Sequence, residues 1–212
     1  MERRDGKINV RIMYSYRIEL AIRAASILHK DQVRKGSVPI PYISHLMAVV
    51  MILLDYTDDE DVIIAALLHD TVEDTDYTMT ELREDFGGKV AEFVEALTEP
   101  QDSKKHAYSW RERKQLYAKH LRNAPKESLL IAAADKIHNM RAIVEEYYND
   151  HARFLAEFEG SLEDRVLMYQ DIANAINRGL DSEIIQEFNH VFDEYKNFVT
   201  DVKKTEQKKH EF

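Results

Sequence analysis

The sequence predicts an all-α protein, and three observations carry that reading. Glycine and proline are scarce, at Gly 6 and Pro 4 in 212 residues, roughly 5% against a usual ~12%. Between them apolar residues recur at helical spacing, with almost no period-two alternation. Capping signals stand where two of these stripes begin, at Thr57-Asp58-Asp59-Glu60 and Ser161-Leu162-Glu163-Asp164.

The first stripe, Ile18, Ala21, Ile22, Ala25 and Leu28, runs up to His29 with charges on its other face. Further helices are expected over about 43–55, 60–71, 79–86, 88–98, 109–123, 126–147, 162–178 and 182–200. The few helix breakers fall between them. Gly36, Pro39 and Pro41 precede the second helix, and Gly87-Gly88 divides the fourth from the fifth. Pro100 and Pro125 bracket the sixth, and Gly160 and Gly179 bracket the eighth. No repeat, low-complexity tract or dividing linker interrupts the series, so residues 1–212 are expected to form a single domain. The polar ends, about 1–13 and 201–212, are expected to fray.

Composition removes several function classes. A formal net charge of −10 argues against a general nucleic-acid binder, which needs a basic footprint. The absence of cysteine removes disulfides, thiolate metal sites and thiol nucleophiles. The amino terminus has no apolar core behind its charges, and no apolar run, Val62 to Leu68 included, is long enough to cross a bilayer. A cytoplasmic protein without membrane contact is the expectation. Charge is unevenly spread: Gln101 to Lys126 holds eight Lys/Arg and two acids. Such a segment is either a solvated helix face or the neighbour of an anionic ligand.

The Walker, dinucleotide-binding, nucleophile-elbow and H-E-x-x-H signatures are missing. What stands out is ionisable residues beside apolar helical runs. Val62 to Leu68 ends in His69-Asp70-Thr71-Val72-Glu73-Asp74, four ionisable groups within six residues. Buried groups of this kind are costly unless paired or bound to metal. A structural His69–Glu73 pair one helical turn apart would explain part of the cluster, but not all four. Leu129 to Ala134 runs into Asp135-Lys136-Ile137-His138-Asn139, with Asn139 one turn beyond Asp135 on the same face; alone, Asp135 reads equally well as a salt-bridged helix residue. His45 opens another apolar helix, where a lone histidine is more often a satisfied core residue. Together, two imidazoles and two carboxylates suit a divalent ion such as Mn²⁺, Fe²⁺ or Mg²⁺. Such an ion lowers the pKa of bound water and neutralises phosphoryl charge. Glu73 and Asp74, one turn on, stand where they could orient that water or pass its proton.

A first His, then His-Asp, then a distant Asp, all on helices, resembles the HD superfamily of metal-dependent phosphohydrolases. The longer motifs are more specific. His29-x-x-Gln32-x-Arg34-Lys35-Gly36, Pro41-Tyr42-Ile43-x-His45, His69-Asp70-Thr71-Val72-Glu73-Asp74-Thr75, Phe86-Gly87 and Ala134-Asp135-Lys136-x-His138-Asn139-Met140-Arg141 follow one another in order. Over about residues 18–145 this series resembles the hydrolase domain of the RelA/SpoT homologue family, which cleaves the alarmone (p)ppGpp. The length leaves no room for that family's synthetase or regulatory domains, so a stand-alone small hydrolase is expected.

The resemblance implies one Mn²⁺ held by His45, His69, Asp70 and Asp135, with Glu73 and Asp74 as the catalytic pair. It implies hydrolysis at the 3′-diphosphate of ppGpp or pppGpp, releasing pyrophosphate and GDP or GTP. Arg34, Lys35 and Asn139 match substrate-contacting positions, and Lys136 or Arg141 would add positive charge. A guanidinium can both stack on a purine and face phosphate. Three positions depart from the family pattern: Asp31 in place of a glycine, Leu46 in place of a proline, and Ala142 where a pocket threonine is common. Ala142 keeps open an HD phosphohydrolase for another nucleotide or a 3′-phosphorylated cofactor. A non-catalytic nucleotide sensor is the reading from outside the enzymes. The helices after about 150 are where a homo-oligomer contact would lie.

Overall fold

The computed structural model describes residues 14–100, 108–157 and 161–210, and among them the regular structure is helical, with one isolated β-bridge between Val33 and Pro41. Helix α1 (Tyr16–Leu28) is capped by the Ser15 hydroxyl, which accepts from the Ile18 amide. A short hairpin then leads into α2 (Ile43–Leu53), and Asp59 caps α3 (Glu60–Leu68) as the sequence signal requires. One turn, α4 (Thr71–Asp74), follows. Helix α5 (Met79–Phe86) begins at a capping box made by Thr78 and Glu81, and Gly87, at φ 94°, turns the chain into α6 (Gly88–Leu97). A second capping box, Ser109 with Glu112, starts α7 (Trp110–Leu121). The long α8 (Lys126–Asn149), α9 (His151–Glu157), α10 (Leu162–Gly179) and α11 (Ile184–His210) complete the chain, with Ser161 capping α10.

The all-α expectation therefore holds, with three differences, one being that α11 runs on to His210 through residues expected to fray. The helix expected over 60–71 stops at Leu68, because polar side chains take its last carbonyls: Thr71 Oγ1 donates to Leu68 O (2.6 Å), and His69 Nδ1 meets Ala66 O (2.8 Å). The chain then restarts as α4, re-aiming Asp70, Glu73 and Asp74. Helix α9 had no predicted counterpart. Lys104 and Lys105 of the basic segment, and residues 1–13, lie outside the described residues.

Packing centres on two helical runs that are apolar on every side. Val62 to Leu68 of α3 is buried throughout, enclosed by α1, α2, α6 and α8. Leu129 to Ala134 of α8 is likewise buried, and α8 also packs on α10 and α11. His69 and Asp135 follow directly on these runs, so rigid core helices deliver them to one place.

Candidate active site

A cavity of about 530 Å³ opens where α2, the α3–α4 link, α7, α8 and α10 meet. That is within the usual size of a small-ligand site. On its wall, single donor atoms of His45, His69 and Asp70 lie within 4.8 Å of one another. Asp70 Oδ2 is 3.2 Å from His69 Nε2 and 3.6 Å from His45 Nε2. Asp135 Oδ1 closes a fourth side, 3.2 Å from His45 Nε2 and 3.9 Å from His69 Nε2.

The hydrogen bonds behind these groups fix which atoms face inward. Ala66 O can only accept, so His69 Nδ1 carries the proton and Nε2 turns to the carboxylates, buried and without a hydrogen-bond partner. His45 is held from behind by His138, with Nδ1 to Nδ1 2.9 Å. Tyr42 donates to Asp70 Oδ2 at 2.6 Å, while Lys136 and Asn139 each donate to Asp135 at 2.5 Å. An inward nitrogen lone pair facing carboxylate oxygens is unfavourable unless a proton or a cation lies between them. Two imidazoles and two carboxylates steadied by outer partners fit a divalent metal ion.

Electrostatics follow the same layout. Burial works to raise the Asp135 carboxyl, but Lys136 and the two imidazoles outweigh it and hold it well below the usual range. Burial lowers His45, whereas the Asp70 and Asp135 charges outweigh burial at His69 and raise it. Burial and the neighbouring His45 ring push His138 down to about 4, so it is neutral and free to accept from His45. Glu73 shows accessible surface, yet that surface opens into the cavity it lines. Its enclosure, reinforced by the Glu99 carboxylate, pushes it up to about 7. Burial, then the Asp70 charge, raises Asp74.

Arg34, Lys35, Asn139 and Lys136 line the same cavity as the metal-type cluster, as the sequence implied. Arg34 donates to Asn139 Oδ1 at 2.9 Å and sits over the Tyr42 ring. Lys136 is turned to Asp135, so its first task is to hold that carboxylate. Arg141 is a correction: it does not line the cavity and pairs instead with Glu187 of α11 at 2.9 Å. The reason is helical phase. Asp135, Asn139, Ala142 and Glu146 form the stripe of α8 that lines the cavity, and position 141 falls off it.

Sequence reasoning left several residues on the cavity wall, and His138 behind it, unassigned. Tyr42 and His138, each three residues from a cluster residue, were readable as one-turn neighbours. Lys114 belongs to the basic segment and pairs with Glu99, whose amide donates to Glu73 Oε2 at 3.2 Å. Trp110, Arg165 and Tyr169 reach the cavity only because α10 packs on α7, and no local signal announces that.

A model of the HD domain family matches residues 21–159. The chain belongs to the HD-domain family. Within it, 36% of 162 aligned residues are identical to the Xenopus tropicalis guanosine-3′,5′-bis(diphosphate) 3′-pyrophosphohydrolase MESH1, covering 76% of this chain and 82% of that protein. The zebrafish (Danio rerio) protein of the same name is 39% identical over 122 residues, 57% of this chain. The HD-domain chain thereby spans 65% of the zebrafish protein's length. Its fold is similar to that of a metazoan ortholog of SpoT that hydrolyzes ppGpp, at a TM-score of 0.69 and 26% identity, covering 85% of this chain and 96% of that one. The matched region takes in α2, α3, α4 and α8, which carry the whole His/Asp cluster. Helices α10 and α11 lie beyond it.

Proposed function

We propose that this chain is a metal-dependent 3′-pyrophosphohydrolase of (p)ppGpp, converting ppGpp and water to GDP and pyrophosphate, and pppGpp to GTP and pyrophosphate. The observation that carries the reading is the convergence of His45, His69, Asp70 and Asp135 on one wall of a cavity whose other walls hold Glu73, Asp74, Arg34, Lys35 and Lys136. The relatives that act on this nucleotide support the choice of substrate. His45, His69, Asp70 and Asp135 would hold the ion, which we take to be Mn²⁺. When bound, it lowers the pKa of water and neutralises phosphoryl charge.

The chain's own residues divide the remaining work. Glu73, poised near neutrality, accepts the proton of the attacking water as the bond between phosphorus and the ribose 3′-oxygen breaks. Asp74, on the same turn, orients that water, and the proton is returned to the departing 3′-oxygen. Arg34 and Lys35 meet the anionic nucleotide from the hairpin, and Asn139 links Arg34 to Asp135 so that the two sites keep register. The direct test is purified protein with Mn²⁺ and ppGpp, assayed for pyrophosphate with and without chelator. Turnover that the chelator abolishes is expected; a folded, metal-loaded sample that releases none overturns the proposal.

A further inference from the structure

The hairpin that carries Arg34 and Lys35 is weakly secured by its own packing. Its arms are joined by backbone bonds, Arg34 N to Ile40 O (2.8 Å) and Tyr42 N to Gln32 O (3.0 Å). Its apolar side chains do not anchor it: Val33, Val38 and Ile40 are 52%, 58% and 42% exposed. A segment with few buried apolar contacts opens easily unless polar bonds hold it. Below Arg34, the tip meets α8 at Glu146 and α9 at Arg153, whose Nη1 donates to Ser37 O at 3.4 Å. Glu146 Oε2 accepts from the Ser37 amide at 2.8 Å, and its carboxylate lies so close on Gly36 that a Cβ there would overlap it. Gly36, at φ 149° and buried, provides both the backbone conformation and the clearance.

Glu146 lies on the same α8 stripe as Asp135 and Asn139, roughly 16 Å along the helix from Asp135. An acidic side chain is unexpected on the wall of a cavity for a polyanion, and its engagement with the hairpin gives the reason. We propose that Glu146 is a positioning residue: it ties the tip of the 32–42 hairpin to α8, so that Arg34 and Lys35 are held facing the cavity in register with Asp135. The consequence for turnover rests on the reading above that these two residues hold the nucleotide. The tether itself does not depend on it.

The test compares the full chain with its Glu146→Ala and Glu146→Gln variants by two measurements, amide hydrogen exchange at Ser37 and steady-state turnover of ppGpp with Mn²⁺. In Glu146→Ala, exchange at Ser37 is expected to speed up about tenfold, and KM to rise about tenfold with kcat changed less than about twofold. Glutamine presents an amide oxygen to the same N–H and should restore both. Ser37 exchanging alike in all three proteins overturns the tether, as does a fall in kcat at constant KM. If Glu146→Gln loses KM as fully as alanine while Ser37 stays protected, the charge acts directly on the nucleotide and positioning is overturned. A wild-type chain that turns over no ppGpp refutes the substrate reading alone, and the exchange data then decide the tether by themselves.

Discussion

Among the carboxylates of the site, Glu73 is the one that its surroundings push up to near neutrality. Enclosure and the neighbouring Glu99 place it at about 7, which suits a group that takes up and gives back a proton near neutral pH. As a base it must be ionised, so kcat should climb as pH rises through about 7 and level off above. Glu73→Gln should lower kcat by about 10²–10⁴ and abolish that limb. Glu99→Gln removes a negative neighbour and frees Lys114, so it should move the limb to lower pH without abolishing it. A pH–rate series on the three proteins checks this; a limb that survives unchanged in Glu73→Gln assigns it to another group. At this scale the sequence was informative about identity but not about environment. His69, Asp70, Glu73, Asp74 and Asp135 could be picked out beside apolar runs. The Glu99 carboxylate that tunes Glu73 lies 26 positions away and is brought in by α6 and α7, which spacing cannot reveal.

At the level of elements, the bend between α3 and α4 does most to shape the site. Because Thr71 Oγ1 takes the Leu68 carbonyl, α3 ends there and the next turn carries Glu73 and Asp74 toward the cavity. Thr71 is fully buried, so Thr71→Val leaves that carbonyl without its partner in nearly the same volume. A loss of about 1–3 kcal/mol in urea unfolding is expected, with an unchanged m-value; a neutral result assigns the bend to something other than this bond. The helices themselves were legible, since their apolar stripes and breakers match α2, α3, α5 to α8 and α10 within a few residues. The capping boxes at Thr78–Glu81 and Ser109–Glu112 were equally readable as S/T-x-x-E patterns. The bend was not, because an apolar run followed by His-Asp-Thr has helical periodicity on both sides of the break. The placement of Arg165 and Tyr169 was hidden for a different reason: both depend on the packing of α10 against α7.

Taken whole, the molecule is acidic but not uniformly so. Arg34, Lys35, Lys114, Lys136 and Arg165 share one cavity with Asp70, Glu73, Asp74 and Asp135, so the net charge of −10 says little about the ligand and its distribution says more. The His/Asp cluster of His45, His69, Asp70 and Asp135 converges from α2, the α3–α4 link and α8, three separate parts of the chain. An ion bound there would join them only in the folded state, because the unfolded chain has no preformed site and no thiolate to compete for the metal. Metal binding should therefore appear as stability. With free Mn²⁺ at about 100 times its dissociation constant, linkage gives about 2.7 kcal/mol. For a chain of this size that corresponds to a rise of roughly 5–10 °C in melting temperature. Chelator should reverse the rise, and Asp70→Ala should melt at one temperature with or without Mn²⁺, since it removes the carboxylate that faces both imidazoles. Thermal melts of the two proteins, each with Mn²⁺ and with chelator, decide the matter. A wild-type chain indifferent to both additions would mean that these four side chains hold no ion, and the shift surviving intact in Asp70→Ala would place the ion elsewhere.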